Sequence, residues 1–309
     1  MRVLVTGGAG FLGSHVVEEL RELRGHFVWA PTSAQYDLRK EDDAVTMMSA
    51  AGGRWDCVVH CAGRVGGIGL NREKPGTLWR DNLVMGVNVL AACKSAGVGK
   101  LTLISTTCAY PKEPKTIPFP ESELFNGYPE DTNAPYGIAK LCLITGAKAY
   151  WKEFNFPTTT LIPTNLFGPR DTFDNASSHV IPAMMRKMHE AKELGNRYVE
   201  LWGTGRATRD FLFVKDAAHA IASAVEKPAF ADPINLGSGT EVSIKNLAYL
   251  MQDIVGYKGD LVWDQSKPDG QPRRVLDSFR AKEWLNWTAS TPLETGLKET
   301  YVWWRADAS

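Results

Sequence analysis

The run Thr6-Gly-Gly-Ala-Gly-Phe-Leu-Gly13 constrains this chain most, because it joins an apolar stretch to an amphipathic one. Arg2-Val-Leu-Val5 reads as a buried strand, and residues 13–24 carry a helical pattern. A strand, a glycine-rich turn and a helix in that order make a cradle for a pyrophosphate. Gly7 permits the tight turn, Gly10 lets a phosphate approach the backbone, and Gly13 lets the helix pack closely. The helix N-terminus turns free N–H groups and the positive end of its dipole towards that phosphate, and Phe11 and Leu12 of the loop join the expected cofactor contacts.

The rest of the first half repeats the alternation. Residues 26–29, 57–60, 101–104 and 158–162 are short apolar strands, and residues 82–95 and 136–154 carry helical patterns. Strands alternating with helices imply crossover connections, and so a parallel sheet covered on both faces. Beyond Pro163 Trp, Pro and Gly become frequent. There residues 198–202 and 261–263 read as strands, residues 216–225 as a helix, and residues 234–238 as one more sheet strand with a turn. The expected fold is α/β: a Rossmann-type doubly wound sheet over residues 1–165, with a segment near 211–240 returning to it. Residues 166–309 then form mainly a smaller, discontinuous α/β domain for the substrate.

Composition removes several classes of function. Lys+Arg and Asp+Glu balance at 35 each among 309 residues, which argues against a nucleic-acid or membrane-surface protein. No apolar run approaches the ~18 residues that cross a bilayer. The cysteines at 57, 61, 93, 108 and 142 show neither a disulfide framework nor metal-ligand spacing. With a strand already at residue 2, no targeting segment is expected, and the cysteine usage fits a reducing cytoplasm.

Tyr136 and Lys140 carry the next signal. Their spacing of four places a phenol and an ammonium on one helical face, and the ammonium is expected to lower the phenol's pKa. Beside a dinucleotide loop, such a pair points to a nicotinamide-dependent enzyme. The cofactor's 2′ position is less clear. Residues 28–37 place no carboxylate at the end of the second strand, expected near residue 31, which favours NADP(H) over NAD(H). No Arg or Lys stands there either, so Thr32 and Ser33 are the nearest donors and NAD(H) stays open.

With the Gly-x-x-Gly-x-x-Gly loop, Thr106 and the Tyr136/Lys140 pair, the chain resembles the extended short-chain dehydrogenase/reductases that act on nucleotide sugars. Val65-Gly-Gly-Ile68, Thr107-Cys-Ala-Tyr-Pro111, Pro163-Thr-Asn-Leu-Phe-Gly-Pro169, Ser178-His-Val-Ile-Pro182, Trp202-Gly-Thr-Gly205 and Lys267-Pro-Asp-Gly270 look like the GDP-L-fucose synthase family. Its members are GDP-4-keto-6-deoxy-D-mannose 3,5-epimerase-4-reductases, and the likeness spans essentially the whole chain.

The resemblance implies Cys108 and His179 as the acid/base pair that inverts C3 and C5, where a 4-keto group acidifies the hydrogens. It implies Tyr136 as proton donor at O4, Lys140 on the nicotinamide ribose, and Thr106 in the place of the family's usual serine. Asp37, Leu38, Pro163, Thr164, Asn165 and Leu166 join the glycine loop around the cofactor, while Lys187, Trp202, Arg209 and Asp269 hold the GDP-sugar. The resemblance further implies a homodimer packed through residues 82–95 and 136–154, and no metal. Ala9 and Pro31 depart from it, standing where some bacterial relatives carry arginines. Dehydratases of the superfamily carry an acidic pair where this chain has Thr107-Cys108. That disfavours elimination, and the alternatives are a different 4-keto sugar, such as a GDP-4-keto heptose, a nucleotide-sugar epimerase or dehydratase of the same superfamily, and a dinucleotide-binding protein without catalysis.

Overall fold

The structure is a computed structural model and describes residues 1–174, 178–267 and 269–307. In the first half, β1 (Arg2–Thr6), α1 (Phe11–Glu18), β2 (Phe27–Trp29), α2 (Glu41–Ser49), β3 (Cys57–His60), α3 (Ile68–Glu73), α4 (Pro75–Ser95), β4 (Leu101–Ile104), α5 (Ala134–Phe154) and β5 (Thr158–Pro163) alternate. Then follow β6 (Asn165–Phe167), α6 (Val180–Glu193), β7 (Tyr198–Trp202), β8 (Thr208–Phe213), α7 (Val214–Glu226) and β9 (Ile234–Leu236). The chain closes with β10 (Glu241–Ser243), α8 (Ile244–Val255), β11 (Asp260–Asp264), β12 (Arg273–Arg274), α9 (Phe279–Leu285) and α10 (Leu293–Asp307).

The main sheet has six parallel strands in the order β2-β1-β3-β4-β5-β9. Helices cover both of its faces, so β3, β4 and β5 are buried along their whole length, and all their side chains except His60 are apolar or threonine. Neighbouring residues of β1 feed opposite layers. Val3 and Val5 pack with Leu20 of the first helical segment and Ile221 of α7, whereas Leu4 packs with Met47 of α2 and Val89 of α4. Lys100 ties the layers together, its Nζ donating to the carbonyls of Ala224, Val225 and Lys227 at the C-terminal end of α7. Strand order reverses on either side of β1, and the loops after β1 and β3 flank that reversal, where ligands of such sheets bind.

Three differences from the sequence reading concern element boundaries. The first helix begins at Phe11 rather than Gly13, and continues as a π-helix over Glu19–Leu23. α4 begins at Pro75, a residue well suited to a helix's first turn because its missing N–H has no partner to lose there. β2 ends at Trp29, short of residue 31.

The second layer of structure sits over one end of the sheet. β8 is its spine, pairing with β10 and β12 through its first residues and with β6 through its last. β7 and β11 form a separate parallel pair. A second core, with Met184, Met185, Leu247 and Leu297, joins α6, α8 and α10. None of the described helices is long and apolar enough to cross a membrane.

Candidate active site

The glycine loop is built by close approach. Gly7 has φ +70°, and a Cβ there would lie 2.7 Å from the Cα of Ala62 in the loop after β3. A Cβ on Gly13 would lie 2.1 Å from the Gly7 carbonyl oxygen, so α1 can start only against a bare turn. At Gly10 the nearest atom to a Cβ is that same carbonyl, at 3.3 Å, and the space beyond is open. This cradle, above the first turn of α1, fits a dinucleotide's pyrophosphate.

Around the outer rim, Asp37 is held by Arg39 at 2.8 Å, and that bond lowers its carboxyl to about 2. Leu38 points into the core, and its carbonyl accepts from the Asn88 amide at 2.9 Å. The Thr32 hydroxyl, expected to be free for a 2′-phosphate, donates to Gln35 at 3.2 Å. At the inner end, Thr164 and Asn165 both bond the Asp210 carbonyl, at 3.1 and 2.8 Å. Pro163 closes β5, and Leu166 packs against the core beneath.

Thr106, Cys108, Tyr136 and Lys140, the groups expected to react, gather where β4 ends. Thr106 leaves the strand extended, and its Oγ1 accepts from the Cys108 N–H at 3.2 Å, which curls Thr107–Ala109 into a single 3-10 turn. That turn lies against α5. A Cβ on Gly137 would come within 2.1 Å of the Cys108 carbonyl, so only glycine lets helix and turn meet. Tyr136, beside it in sequence, is thereby brought to the side of the turn.

Tyr136 and Lys140 share one face of α5 as expected, but the electrostatics differ from the expectation. Burial raises the Tyr136 pKa above its ordinary value, with the Cys108 thiol adding to the rise and the Thr106 hydrogen bond opposing it. The ammonium does not offset this: Lys140 Nζ is 5.9 Å from the phenol ring centroid and donates to the Ile104 carbonyl at 3.0 Å. Lys140 is only 4% exposed, and burial brings its pKa down to about 8.

His179 precedes the first residue of α6 as its capping position. Its side chain stays open to solvent, yet the protein around it lowers its pKa by desolvation. No hydrogen bond among the described residues joins it to Cys108. Further along α6, Lys187 lies 5.9 Å from the Trp202 ring, as does Lys267. Trp202 is 58% exposed, an unusual place for so large an apolar ring without a ligand. Asp269 accepts from the Thr204 N–H at 2.6 Å and its hydroxyl at 2.7 Å. Pro268, within the same run, lies outside the described residues.

Arg209 is less free than a diphosphate clamp would be. Its Nη1 donates to the Thr208 and Gln271 carbonyls, both at 2.7 Å. Burial, chiefly, and the neighbouring Arg274 lower its pKa to about 10. Sequence reasoning passed over Gln271 and Arg274. The only signal was two consecutive arginines after Gly270: on a strand they face opposite ways, so Arg273 pairs with Glu241 outside while Arg274 is buried. Also missed was Asn82, which clamps the loop after β3 to α4 by bonding both the N–H and the carbonyl of Arg64, at 3.0 and 2.9 Å.

The pattern of the NAD dependent epimerase/dehydratase family matches residues 3–237. The chain is 38% identical over 303 residues to a protein named GDP-L-fucose synthase 1 of Arabidopsis thaliana, covering 98% of this chain and 93% of that one. A crystal structure of a GDP-L-fucose synthetase from Naegleria fowleri bound to NADP superposes with a TM-score of 0.90 at 29% identity, over 99% of this chain and 94% of that one. A GDP-6-OMe-4-keto-L-xylo-heptose reductase from C. jejuni gives 0.91 at 25% identity, over 99% and 98%.

Proposed function

The chain belongs to the NAD-dependent epimerase/dehydratase family and, within it, to the GDP-L-fucose synthases, and from that premise we propose how its own residues work. It converts GDP-4-keto-6-deoxy-D-mannose to GDP-L-fucose, inverting C3 and C5 and reducing C4. The observation that carries this reading is the Thr107–Ala109 turn: it holds a thiol two residues after the Thr106 hydroxyl and packs against α5 at Gly137, the neighbour of Tyr136. Two kinds of proton chemistry thereby lie side by side.

We take residues 1–165, with the returning 211–240 segment, as the cofactor domain and residues 166–309 as mainly the substrate domain. The cofactor is NADP(H), which supplies a hydride at C4 when bound. Gly7, Gly10, Phe11, Leu12 and Gly13 hold its pyrophosphate, and Asp37 and Leu38 its adenosine end. Pro163, Thr164, Asn165 and Leu166 border the nicotinamide.

Cys108 and His179 remove and return protons on opposite faces at C3 and C5, while the 4-keto oxygen takes up the electron pair. Tyr136 then gives its proton to O4. Burial keeps that phenol protonated in the free protein. Thr106 shares a hydrogen bond with O4, and the two free N–H donors of Lys140 hold the ribose. Lys187, Trp202, Arg209 and Asp269 bind the GDP portion. Trp79 and Val87, exposed on α4, support pairing of two copies through α4 and α5, and the enzyme works in the cytoplasm.

The test is cofactor oxidation with freshly made GDP-4-keto-6-deoxy-mannose and NADPH or NADH in parallel, with product configuration read by NMR. GDP-L-fucose formed with NADPH preferred is the expected result. Turnover of a GDP-4-keto heptose alone would move the substrate assignment, and NADH at least equal to NADPH would overturn the cofactor assignment.

A further inference from the structure

Arg274 occupies a place in this site that the chemistry above does not use. The residue is 9% exposed and, among the described residues, makes no ion pair. Nη1 lies 3.8 Å from the Cys108 Sγ, and Nε donates to the Gln271 Oε1 at 2.9 Å. Gln271 is buried too. Its Nε2 donates to the Lys112 carbonyl at 2.8 Å, just beyond Cys108 in the chain, and its own carbonyl accepts from Arg209. Parallel pairing of β12 with β8 sets Arg274 directly across from Arg209.

Burying a guanidinium without a carboxylate is costly, and placing two side by side more so. Such an arrangement is reasonable where the site meets negative charge during its working cycle. Arg209 faces the expected diphosphate. The group in contact with Arg274 that becomes negative is the thiol. In each inversion the C–H bond breaks, its proton passes to one member of the Cys108/His179 pair, and the electron pair moves onto the 4-keto oxygen. A new C–H bond then forms on the opposite face with a proton from the other member. Whichever way Cys108 acts, its sulfur is an anion on one side of the step.

We propose that Arg274 is a positioning residue for epimerisation: it steadies the charge on the Cys108 sulfur and, through Gln271, links that thiol to the arginine expected at the diphosphate. This deepens the epimerase–reductase reading and rests on it for the substrate, although the contact with sulfur does not.

The experiment is alkylation of the intact protein by iodoacetamide without substrate, scored at Cys108 by peptide mass spectrometry across a series of pH values. The thiolate is the form that reacts. Arg274→Gln is expected to slow the reaction about tenfold near neutrality, with the gap closing as alkali ionises the thiol unaided. Arg274→Lys keeps most of the wild-type rate. An Arg274→Gln profile that overlies wild type overturns the proposal. Should that variant not fold, Gln271→Met carries the test, with a smaller slowing in the same direction expected and an unchanged profile again fatal. A shifted alkylation profile with no turnover of the GDP-sugar would sink the functional reading and leave this one standing.

Discussion

Tyr136 and Lys140, the pair proposed for reduction, are 8% and 4% exposed, whereas Trp202 and Asp269, proposed to hold the nucleotide, are 58% exposed and open to solvent respectively. The first region is dry and tightly packed: a missing Cβ at Gly137 sets the distance between helix and turn, and burial sets the protonation of its groups. The second is held by polar bonds at the surface, such as Asp269 to Thr204, with an aromatic face left uncovered between two lysines. The first region is closed by the protein itself. The second, on the proposed reading, would be completed by the nucleotide. Changes at the buried end should therefore alter chemistry and stability together, and changes at the open end should alter affinity alone.

The sharpest break in that contrast comes from Tyr136→Phe. Loss of the proton donor should cut C4 reduction by about a hundredfold or more, while solvent deuterium still enters C3 and C5 of the substrate. Cofactor oxidation and NMR read the two halves separately, and loss of both together would show that the proton chemistries are not independent. Gly137→Ala comes next. Its Cβ would press on the Cys108 carbonyl, so the fold should lose about 1–3 kcal/mol, seen as a lower denaturation midpoint.

The third effect is on pH. Burial holds the Lys140 pKa at about 8, below its ordinary value, so the ammonium predominates at neutral pH and disappears as pH rises past that point. NADPH affinity of the free protein should consequently weaken on the alkaline side of about 8, with the still-protonated Tyr136 contributing nothing to that limb. Titrations at a series of pH values check this, and affinity independent of pH across that range would count against Lys140 as the ribose ligand. Smallest is Trp202→Ala, expected to raise KM about tenfold with little change in kcat and none in the denaturation midpoint. A fall in stability as large as that of Gly137→Ala would erase the distinction between the two ends.

Much of the fold was legible because its signals are local. Short β-branched runs bounded by turns predict β1, β3, β4 and β5, and the glycine spacing predicts the cradle. β9 was readable for the same reason, and it does join β5 in the main sheet. Less legible were β6, β10 and β12, which are only two or three residues long and exist because β8 offers them an edge. The start of α4 was hidden by Pro75-Gly76, which reads as a turn when nothing packs behind it.

The chemistry divides along the same line. Sequence alone determined which groups are present and their spacing along the chain: a hydroxyl and a thiol in one turn, a phenol and an ammonium on one helical face, glycines where backbone must approach backbone. It could not determine what surrounds them. The approach of Arg274 to Cys108 spans 166 residues and depends on β12 finding β8. The direction of the Tyr136 shift was misread because a charge four residues away is visible in a sequence and burial is not. Desolvation and through-space distance set those properties, and both come into being only when the chain has packed.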